Sequence, residues 1–263
     1  MVSPEECLVK NRYSATWFEL FLASPEERQT RIEVDFLTRQ LPRERFTTIL
    51  DVCCGYGRHA APLGEHGYEV MAIDRDPNVI DAARRGHGPK GVDFQVWDMS
   101  RIRDLNRRFD AVICMWQSFG YLDAAANRDI LDQIATILNP GGRFIIDIYN
   151  ASFFESRQGV RSSRRQGIDI VTTQDLHADR LTVNLEYGDG RGNDTFEWQV
   201  FTRDSFRVEA LSHGLQPLVG CTDFEESQSP GPAKPRMQFV LEKRQVHEPA
   251  AHSFGLSCLA SSK

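Results

Sequence analysis

Short apolar, β-branched runs alternate with segments of helical periodicity from residue 46 to residue 148. Parallel strands that are joined by crossover helices give this pattern, and such a sheet is buried on both faces. The sequence therefore predicts a doubly wound, mostly parallel α/β sheet. The predicted strands are FTTILDV (46–52), YEVMAID (68–74), VDFQVWD (92–98), FDAVICMW (109–116) and RFIIDIY (143–149).

The segments between these runs predict helices near 58–66, 77–85 and 123–138. Asp123 is the expected N-cap of the last helix, and Asn139-Pro140-Gly141-Gly142 is its expected stop, because proline cannot continue a helix and glycine tolerates the turn. Ahead of the first strand, residues 13–41 predict one or two amphipathic helices that cover the core or line a ligand pocket.

After Tyr149 apolar and polar residues alternate between turn signals, in VTTQDLHAD, RLTVNLEYGDG and DTFEWQVFT. Such alternation predicts an antiparallel β meander, inserted at about 158–202. Its apolar face must be buried, either over a pocket or in a homodimer contact. A helix near 203–213, a strand near 216–222 and a last strand, RMQFVLEK, complete the core by residue 245, and 246–263 should form a flexible tail.

The composition of the chain excludes several classes of function. The 263-residue chain has a net charge of −6, which argues against a nucleic-acid partner because phosphate binding relies on Lys and Arg. A basic run, Arg157, Arg161, Arg164 and Arg165, is interpreted as a solvated loop or hairpin face. The six cysteines include no C-x-x-C pair and predict no metal site. With no signal peptide or long apolar run, we expect a soluble cytoplasmic protein without membrane contact.

The segment ILDVCCGYGRHA carries the most informative chemistry, because a strand that ends in Asp51 leads into Gly55-Tyr56-Gly57 and then a helix. Glycine lets a ligand approach the backbone closely, and the helix start leaves amides free for an anionic group. By themselves the glycines leave a nicotinamide cofactor open, since Gly55-x-Gly57-x-x-Ala60 with Asp74 downstream also fits the dinucleotide fingerprint.

The whole stretch 46–148 resembles the class I S-adenosylmethionine-dependent methyltransferases. The resemblance rests on five landmarks in order: Asp51-x-x-x-Gly55-x-Gly57, MAID ending in Asp74, Trp97-Asp98, FDAVICMWQSFGYL and LNPGGRFIIDIYN. It implies a seven-stranded, Rossmann-like domain over 1–245, with N-terminal lid helices (13–41), a cofactor-binding core (46–150), the inserted meander and a core completed by 203–245. Cys53 departs from the family, in which many members have glycine or alanine there, and suggests close packing of the loop.

The resemblance also implies residue roles and S-adenosylmethionine as cofactor. Asp74 would bind the ribose hydroxyls and Asp98 the adenine amine, and Asp51 or a nearby backbone carbonyl would hold the methionyl ammonium. The predicted cofactor-binding residues are Trp17, Asp51, Cys53, Gly55, Gly57, Asp74, Arg75, Trp97, Asp98, Met99 and Met115.

The methyl acceptor should bind where the loops after the first and fourth strands meet. Tyr13, Gln117, Phe119 and Tyr121 are the predicted residues acting on it. Tyr13 and Trp17 share a helix face and would close over the cleft against Phe119 and Tyr121.

An aromatic pocket of this kind, with Gln117, Asp147, Asn150 and tyrosine hydroxyls as its polar groups, favours a neutral amine or hydroxyl acceptor over a phosphate-rich one. His59 is interpreted as structural and not as a base. The expected function is methyl transfer to a small metabolite, typical of specialised metabolism. A nicotinamide-dependent oxidoreductase and a cofactor-binding scaffold that catalyses another reaction or binds a partner are the alternatives.

Overall fold

The protein was analysed as a computed structural model that describes residues 11, 13–22, 27–86 and 91–244. The predicted tail, 246–263, lies outside the described residues. The helices are α1 (Ala15–Trp17), which continues as a π-helical turn (Phe18–Leu22), α2 (Glu27–Gln40), α3 (Ala60–Glu65), α4 (Pro77–Gly86), α5 (Ala124–Ile137), α6 (Ala151–Glu155) and α7 (Arg203–Ser212), with a 3-10 helix at Met99–Leu105.

Eleven strands are present in the described part of the chain. They are β1 (Thr48–Val52), β2 (Glu69–Asp74), β3 (Val92–Val96), β4 (Phe109–Cys114), β5 (Leu138–Tyr149), β6 (Gly159–Arg165), β7 (Ile168–His177), β8 (Arg180–Tyr187), β9 (Asn193–Gln199), β10 (Leu215–Cys221) and β11 (Arg236–Lys243).

Seven strands form the main sheet in the order β10-β11-β5-β4-β1-β2-β3. β1 to β5 are mutually parallel, and β11 runs antiparallel to both β5 and β10. Ile49, Leu50 and Val112 are fully shielded from solvent, as expected for strands covered by helices on both faces. The predicted doubly wound fold is confirmed, and the carboxyl ends of β1 to β5 meet at one edge, where ligands bind in open α/β sheets.

The start of β5 differs from its prediction as a turn followed by a strand. α5 ends at Ile137 as expected, but β5 already begins at Leu138 and includes the Pro140-Gly141-Gly142 segment as a bulge. A Cβ on Gly142 would lie 2.8 Å from the Asn139 carbonyl oxygen, so the bulge needs glycine at this position. The Asp123 cap is confirmed, since its carboxylate accepts a 2.8 Å hydrogen bond from the Ala126 amide.

The insertion between β5 and α7 is a four-stranded antiparallel sheet in the order β6-β7-β8-β9. The sequence predicted only three of its strands, because β6 carries the basic run and every one of its residues is exposed. One face of the meander is apolar and buried within the same chain. Its buried residues include Ile168, Ile170, Leu181, Leu185, Phe196 and Trp198.

The N-terminal segment covers the meander. The Asn11 amide donates to the Thr195 carbonyl oxygen (3.2 Å), and the Ser14 hydroxyl donates to Asp194 on β9 (2.6 Å). The Tyr13 ring lies 4.9 Å from that of Phe196. The apolar face of the insertion is thus covered by the N-terminal segment of its own chain, which also contributes Trp17, Leu20 and Phe21. No helix in the described ranges combines the length and apolar character needed to cross a membrane.

Gly120 joins the loop after β4 to the end of the meander. Its φ is 104°, its carbonyl oxygen accepts a 2.7 Å hydrogen bond from the Gln199 amide, and a Cβ here would lie 2.5 Å from the Gln199 carbonyl oxygen. We expect Gly120→Ala to lower the free energy of unfolding by about 2 to 4 kcal/mol, because it adds a backbone clash to an unfavourable φ. Urea denaturation followed by circular dichroism measures this change.

Gly159→Ala is the matched control for this substitution. Gly159 has a similar φ of 98°, but no atom lies within 4 Å of the position that a Cβ would take there. It should cost only the strain of the left-handed conformation, about 1 to 2 kcal/mol. Equal losses in the two variants would contradict the close contact between Gly120 and Gln199.

Candidate active site

The loop from β1 to α3 holds three residues in the left-handed region, Cys53 (φ 59°), Gly55 (φ 56°) and Gly57 (φ 81°). Open space lies over Gly55, since nothing approaches within 4 Å of the position that a Cβ would take. A ligand can therefore reach this backbone. Cys53 adopts a conformation that favours glycine, and its thiol is 3.6 Å from the Met99 sulfur. The Met99 side chain therefore packs against Cys53, the residue at which this sequence differs from the glycine or alanine of many family members.

Asp51 ends β1 beneath this loop and is only 1% exposed. Its Oδ2 is a buried carboxylate oxygen without a hydrogen-bond partner among the described residues. Burial raises the pKa of Asp51 to about 8, and the nearby Asp74 carboxylate raises it further against the opposing charge of Arg58. A cationic group that reached Oδ2 would satisfy the unpaired oxygen and favour the ionised acid.

Two further carboxylates follow β2 and β3. Asp74 Oδ2 accepts from the Gly55 amide (3.1 Å) and Oδ1 from the Asp76 amide (3.0 Å), so the loops fix this side chain. Asp98 caps the 3-10 helix, because its Oδ1 accepts from the amide (2.8 Å) and the hydroxyl (2.6 Å) of Ser100. Asp98 Oδ2 has no hydrogen bond to any described residue. It can therefore accept one from a ligand.

The other residues predicted to contact the cofactor lie near these carboxylates or beneath them. Trp97 and Met99 are half-buried at the end of β3, and the Trp97 indole donates to the Arg101 carbonyl oxygen (2.9 Å). Arg75 is exposed and donates to the Asn11 carbonyl oxygen (3.4 Å). Met115 is buried in the core at the end of β4. The structure thus brings the predicted residues of β1 to β4 to one edge of the sheet.

The loop after β4 is strained. Trp116 and Gln117 have φ values of 57° and 55°, a left-handed pair without glycine. The Trp116 amide donates to Asp147 Oδ2 (3.2 Å), and the Gln117 amide donates to the Asp147 carbonyl oxygen (3.0 Å). Strained pairs of this kind cluster at ligand sites, because only a surrounding network of contacts can keep them.

That network is centred on Glu33 of α2, which is fully buried. Its Oε1 accepts from the Trp116 indole (2.8 Å) and the Gln29 amide (2.9 Å), while Oε2 pairs with Arg58 (2.5 Å) and His59 Nε2 (2.8 Å). Sequence reasoning missed Glu33, although a carboxylate next to Val34 in an apolar stripe was a usable signal. Burial lowers the pKa of His59, which favours neutral imidazole and suits the predicted structural role.

A cavity of about 360 Å³ opens beside this network. Arg236 lines this cavity and its guanidinium pairs with Asp147 Oδ2 at 2.7 Å, and the Asp147 side chain is fully buried. Half of the lining residues are aromatic. The lining residues are Trp116, Gln117, Tyr149, Phe153, Phe154, Gln174, Pro235 and Arg236. Only Gln117 of these belongs to the predicted set of catalytic residues, because strand β11 and the meander supply walls that no local pattern connects to β4.

Tyr13, Trp17 and Tyr121 lie in one aromatic cluster under the meander. The Tyr13 ring is 4.2 Å from that of Trp17 and 6.3 Å from that of Tyr121. Tyr121 in turn contacts Trp198 (5.3 Å), whose ring is 5.0 Å from that of Tyr149 in the cavity wall. The predicted meeting of Tyr13 with Tyr121 is observed, but Tyr13 precedes α1 and does not share a helix with Trp17. The rings of this cluster continue to the cavity.

The structure places Phe119 outside the predicted acceptor site. This residue is 3% exposed and packs in the core against Phe201 (6.2 Å) and Phe206 (6.4 Å), apart from the cluster that holds Tyr13. Asn150 also differs, because it caps α6 and donates to the Gly231 carbonyl oxygen (2.9 Å). With Asp147 held by Arg236 and Gln238, neither side chain is left as a polar handle for the acceptor. Their position at the end of β5 predicts side chains that are free to bind the acceptor. Both side chains are instead hydrogen-bonded to residues that are distant in the sequence.

The sheet order, the single antiparallel strand β11 and the glycine loop after β1 define a class I methyltransferase fold. Residues 49–142 match the family described as methyltransferase domain. This part of the chain is therefore similar to the methyltransferase domain family, and its fold is that of methyltransferases whose cofactor is S-adenosylmethionine. The open space over Gly55 and the unpaired oxygens of Asp51 and Asp98 fit that cofactor.

Similar proteins agree with this class. A glycine/sarcosine N-methyltransferase of Halorhodospira halochloris is 32% identical over 128 residues, 46% of this chain and 47% of that protein. One from Parasynechococcus marenigrum is 28% identical over 239 residues, 85% of this chain and 84% of that protein. The CcbJ methyltransferase of Streptomyces caelestis superposes with a TM-score of 0.72 at 17% identity, over 86% of this chain and 95% of that chain. The chain spans about half the length of the first curated relatives it matches.

Proposed function

We propose that this protein transfers the methyl group of S-adenosylmethionine to a nitrogen, oxygen or carbon nucleophile of a small-molecule metabolite. The observation that carries the proposal is the aromatic cavity of about 360 Å³ beside the strand ends that fit the cofactor. Its volume suits a small acceptor, and its rings suit the positive sulfonium. The relatives named for N-methylation of glycine and sarcosine support a small acceptor as well.

The residues at the strand ends have separate tasks in this proposal. Asp74 would hold the ribose, Asp98 Oδ2 the adenine amine and Asp51 Oδ2 the methionyl ammonium. When bound, the cofactor supplies an activated methyl group on sulfur, so the protein mainly has to align the acceptor with it. Trp116 and Gln117 are fixed by Glu33 and Asp147, and in this proposal they would lie at the boundary between the two ligands.

Tyr149 is the hydroxyl group best placed to contact the acceptor. It lines the cavity, and its hydroxyl has no hydrogen-bond partner among the described residues. Burial raises the pKa of Tyr149 to about 12, despite the opposing charge of Arg236, so the phenol stays protonated at neutral pH. It can orient an amine or hydroxyl by hydrogen bonding, but it is not poised as a base.

The first test measures the cofactor. Calorimetry should show S-adenosylhomocysteine binding to the protein, and Asp74→Asn should weaken this binding by about 1.5 to 3 kcal/mol, the scale of hydrogen bonds to a charged group. Asp76→Asn, at the half-buried residue two positions further along the turn, is the control with little expected effect. Tighter binding of a dinucleotide would instead favour the oxidoreductase alternative.

The second measurement uses methyl-labelled S-adenosylmethionine with an extract of the producing organism. We expect label in a low-mass metabolite, identified by mass spectrometry and lost in Tyr149→Phe at unchanged cofactor affinity. Label in RNA or protein would overturn the small-molecule acceptor. Cofactor binding without any labelled product would favour a non-methylating scaffold.

A further inference from the structure

The basic run is not only a solvated surface, because β6 presents its arginines on two different faces. Residues that pair directly across two antiparallel strands lie on the same face of the sheet. Arg161 pairs with Thr172 and Arg164 pairs with Asp169. Ile168 and Ile170 of β7 are buried, which marks the inner face, and Arg161 shares that face, while Arg164 lies on the outer one.

The inner face of β6 leads to the cavity. The Arg161 guanidinium donates to Gln174 Oε1 (3.4 Å), and Gln174 lines the cavity wall. Arg157 lies over the ring of Phe153, another wall residue, with its Cζ 4.1 Å from the ring centroid. Because Arg161 is exposed and Gln174 is half-buried, these groups mark the solvent side of the cavity.

The charge of this mouth is unbalanced. Arg236, which lines the cavity, is paired with Asp147, and Arg58 behind the Trp116 ring is paired with Glu33. In contrast, neither Arg157 nor Arg161 forms an ion pair with a carboxylate in the described part of the chain. Two unpaired positive charges thus stand at the solvent side of the cavity, a distribution that attracts an anion.

We propose that the methyl acceptor carries a carboxylate, which Arg161 binds at the mouth of the cavity while the aromatic walls hold its apolar body. This inference rests on the proposed methyl transfer and adds the acceptor's chemical class to it. It also changes the expectation of a neutral acceptor, because the nucleophile can remain an amine or hydroxyl on a molecule that is anionic elsewhere.

The contacts of the two arginines favour a carboxylate over a phosphate. Arg157 Nη1 donates to the carbonyl oxygens of Pro232 (3.0 Å) and Phe153 (3.3 Å) and to the Ser156 hydroxyl (3.3 Å), and these contacts hold the guanidinium over the Phe153 ring. Arg161 has only the 3.4 Å contact of its Nη1 with Gln174, so its Nε and Nη2 are available as a fork. A single fork matches the two oxygens of a carboxylate, whereas a phosphate dianion needs more donors. Arg157, fixed by its own contacts, contributes its charge.

The experiment compares carboxylates with their neutral amides on the full chain saturated with S-adenosylhomocysteine. The probes are three pairs: phenylacetate and phenylacetamide, indole-3-acetate and indole-3-acetamide, and 4-hydroxybenzoate and 4-hydroxybenzamide. Calorimetry should show at least one carboxylate binding about tenfold more tightly than its amide, as a charge-assisted hydrogen bond predicts. The preference should shrink as salt rises, because the arginine is exposed.

Arg161→Gln should reduce this preference to less than about threefold without changing the affinity for the amide or for S-adenosylhomocysteine. Arg164→Gln is the matched control: it lies on the same strand, but on the outer face beside Asp169. Equal loss in both variants, or no carboxylate preference in any pair, overturns the inference. If S-adenosylhomocysteine itself does not bind, this result contradicts the proposed methyl transfer and not only the inference about the acceptor.

Discussion

Glu33→Ala is expected to lower the free energy of unfolding by about 3 to 5 kcal/mol, the cost of breaking a buried ion pair from one side. The substitution removes the partner of Arg58, His59 and the Trp116 indole in one step. It also opens a cavity against α3, because Glu33 is fully buried. Chemical denaturation at pH 7 measures the loss.

The pH dependence of stability provides a second measurement on the same residue. Burial acts to raise the pKa of Glu33, but the hydrogen bond from His59 and the charge of Arg58 outweigh it and lower the pKa to about 2. The stabilisation from this carboxylate is therefore present above its unfolded pKa of 4.5 and is lost as pH falls toward 2. Glu33→Ala should flatten the unfolding profile in that acid window.

Asp35→Ala on the same helix is the control, because Asp35 is exposed. It should change the free energy of unfolding by less than about 0.5 kcal/mol. Glu33→Gln should lie between the two, since the amide oxygen still accepts hydrogen bonds although the charge is lost. If Glu33→Ala matched Asp35→Ala, the network would not stabilise the fold. If the Glu33→Gln variant folds and binds the cofactor with unchanged affinity, Glu33 stabilises the fold without contributing to cofactor binding.

Asp51→Asn should have the opposite effect on stability. The raised pKa means that the folded protein without cofactor retains a proton on Asp51 that the unfolded chain has released above 3.8. The stabilisation from the protonated Asp51 is therefore fully present below pH 3.8, and it is lost as pH rises toward about 8. The amide removes this linkage, and we expect a gain on the order of 3 kcal/mol at pH 7.5, less than the full shift implies because the new N–H needs a partner.

The same substitution should weaken cofactor binding by about 1.5 to 3 kcal/mol, because the methionyl ammonium loses a charged acceptor. Thermal unfolding at a series of pH values, with and without S-adenosylhomocysteine, measures both effects. Asp110→Asn is a control of opposite sign. Burial opposes its ionisation, but amides of Thr47 and Thr48 lower the Asp110 pKa to about 2, so its loss should destabilise the protein. A destabilised Asp51→Asn variant would contradict the buried, protonated acid.

Much of the sheet follows from local pattern. The strands β1 to β5 were predictable because each is a short apolar run, and the Asp123 cap because a single side chain satisfies a nearby amide. β6 was not predictable as a strand, since its exposed sequence of arginines, serines and valine has no apolar face to reveal it. It pairs only because β7 supplies the complementary backbone edge.

By itself the sequence determined the α/β order, the glycine loop and the carboxylates Asp51, Asp74 and Asp98, because these features depend on neighbours within a few residues. The tertiary structure alone decided which residues line the cavity proposed for the acceptor. Arg236 and Glu33 are far apart in the chain and meet only through the packing of α2 beside β11, where their atoms lie 3.9 Å apart. Likewise, the face to which Phe119 or Arg161 belongs depends on long-range packing and strand register, which one chain segment does not encode.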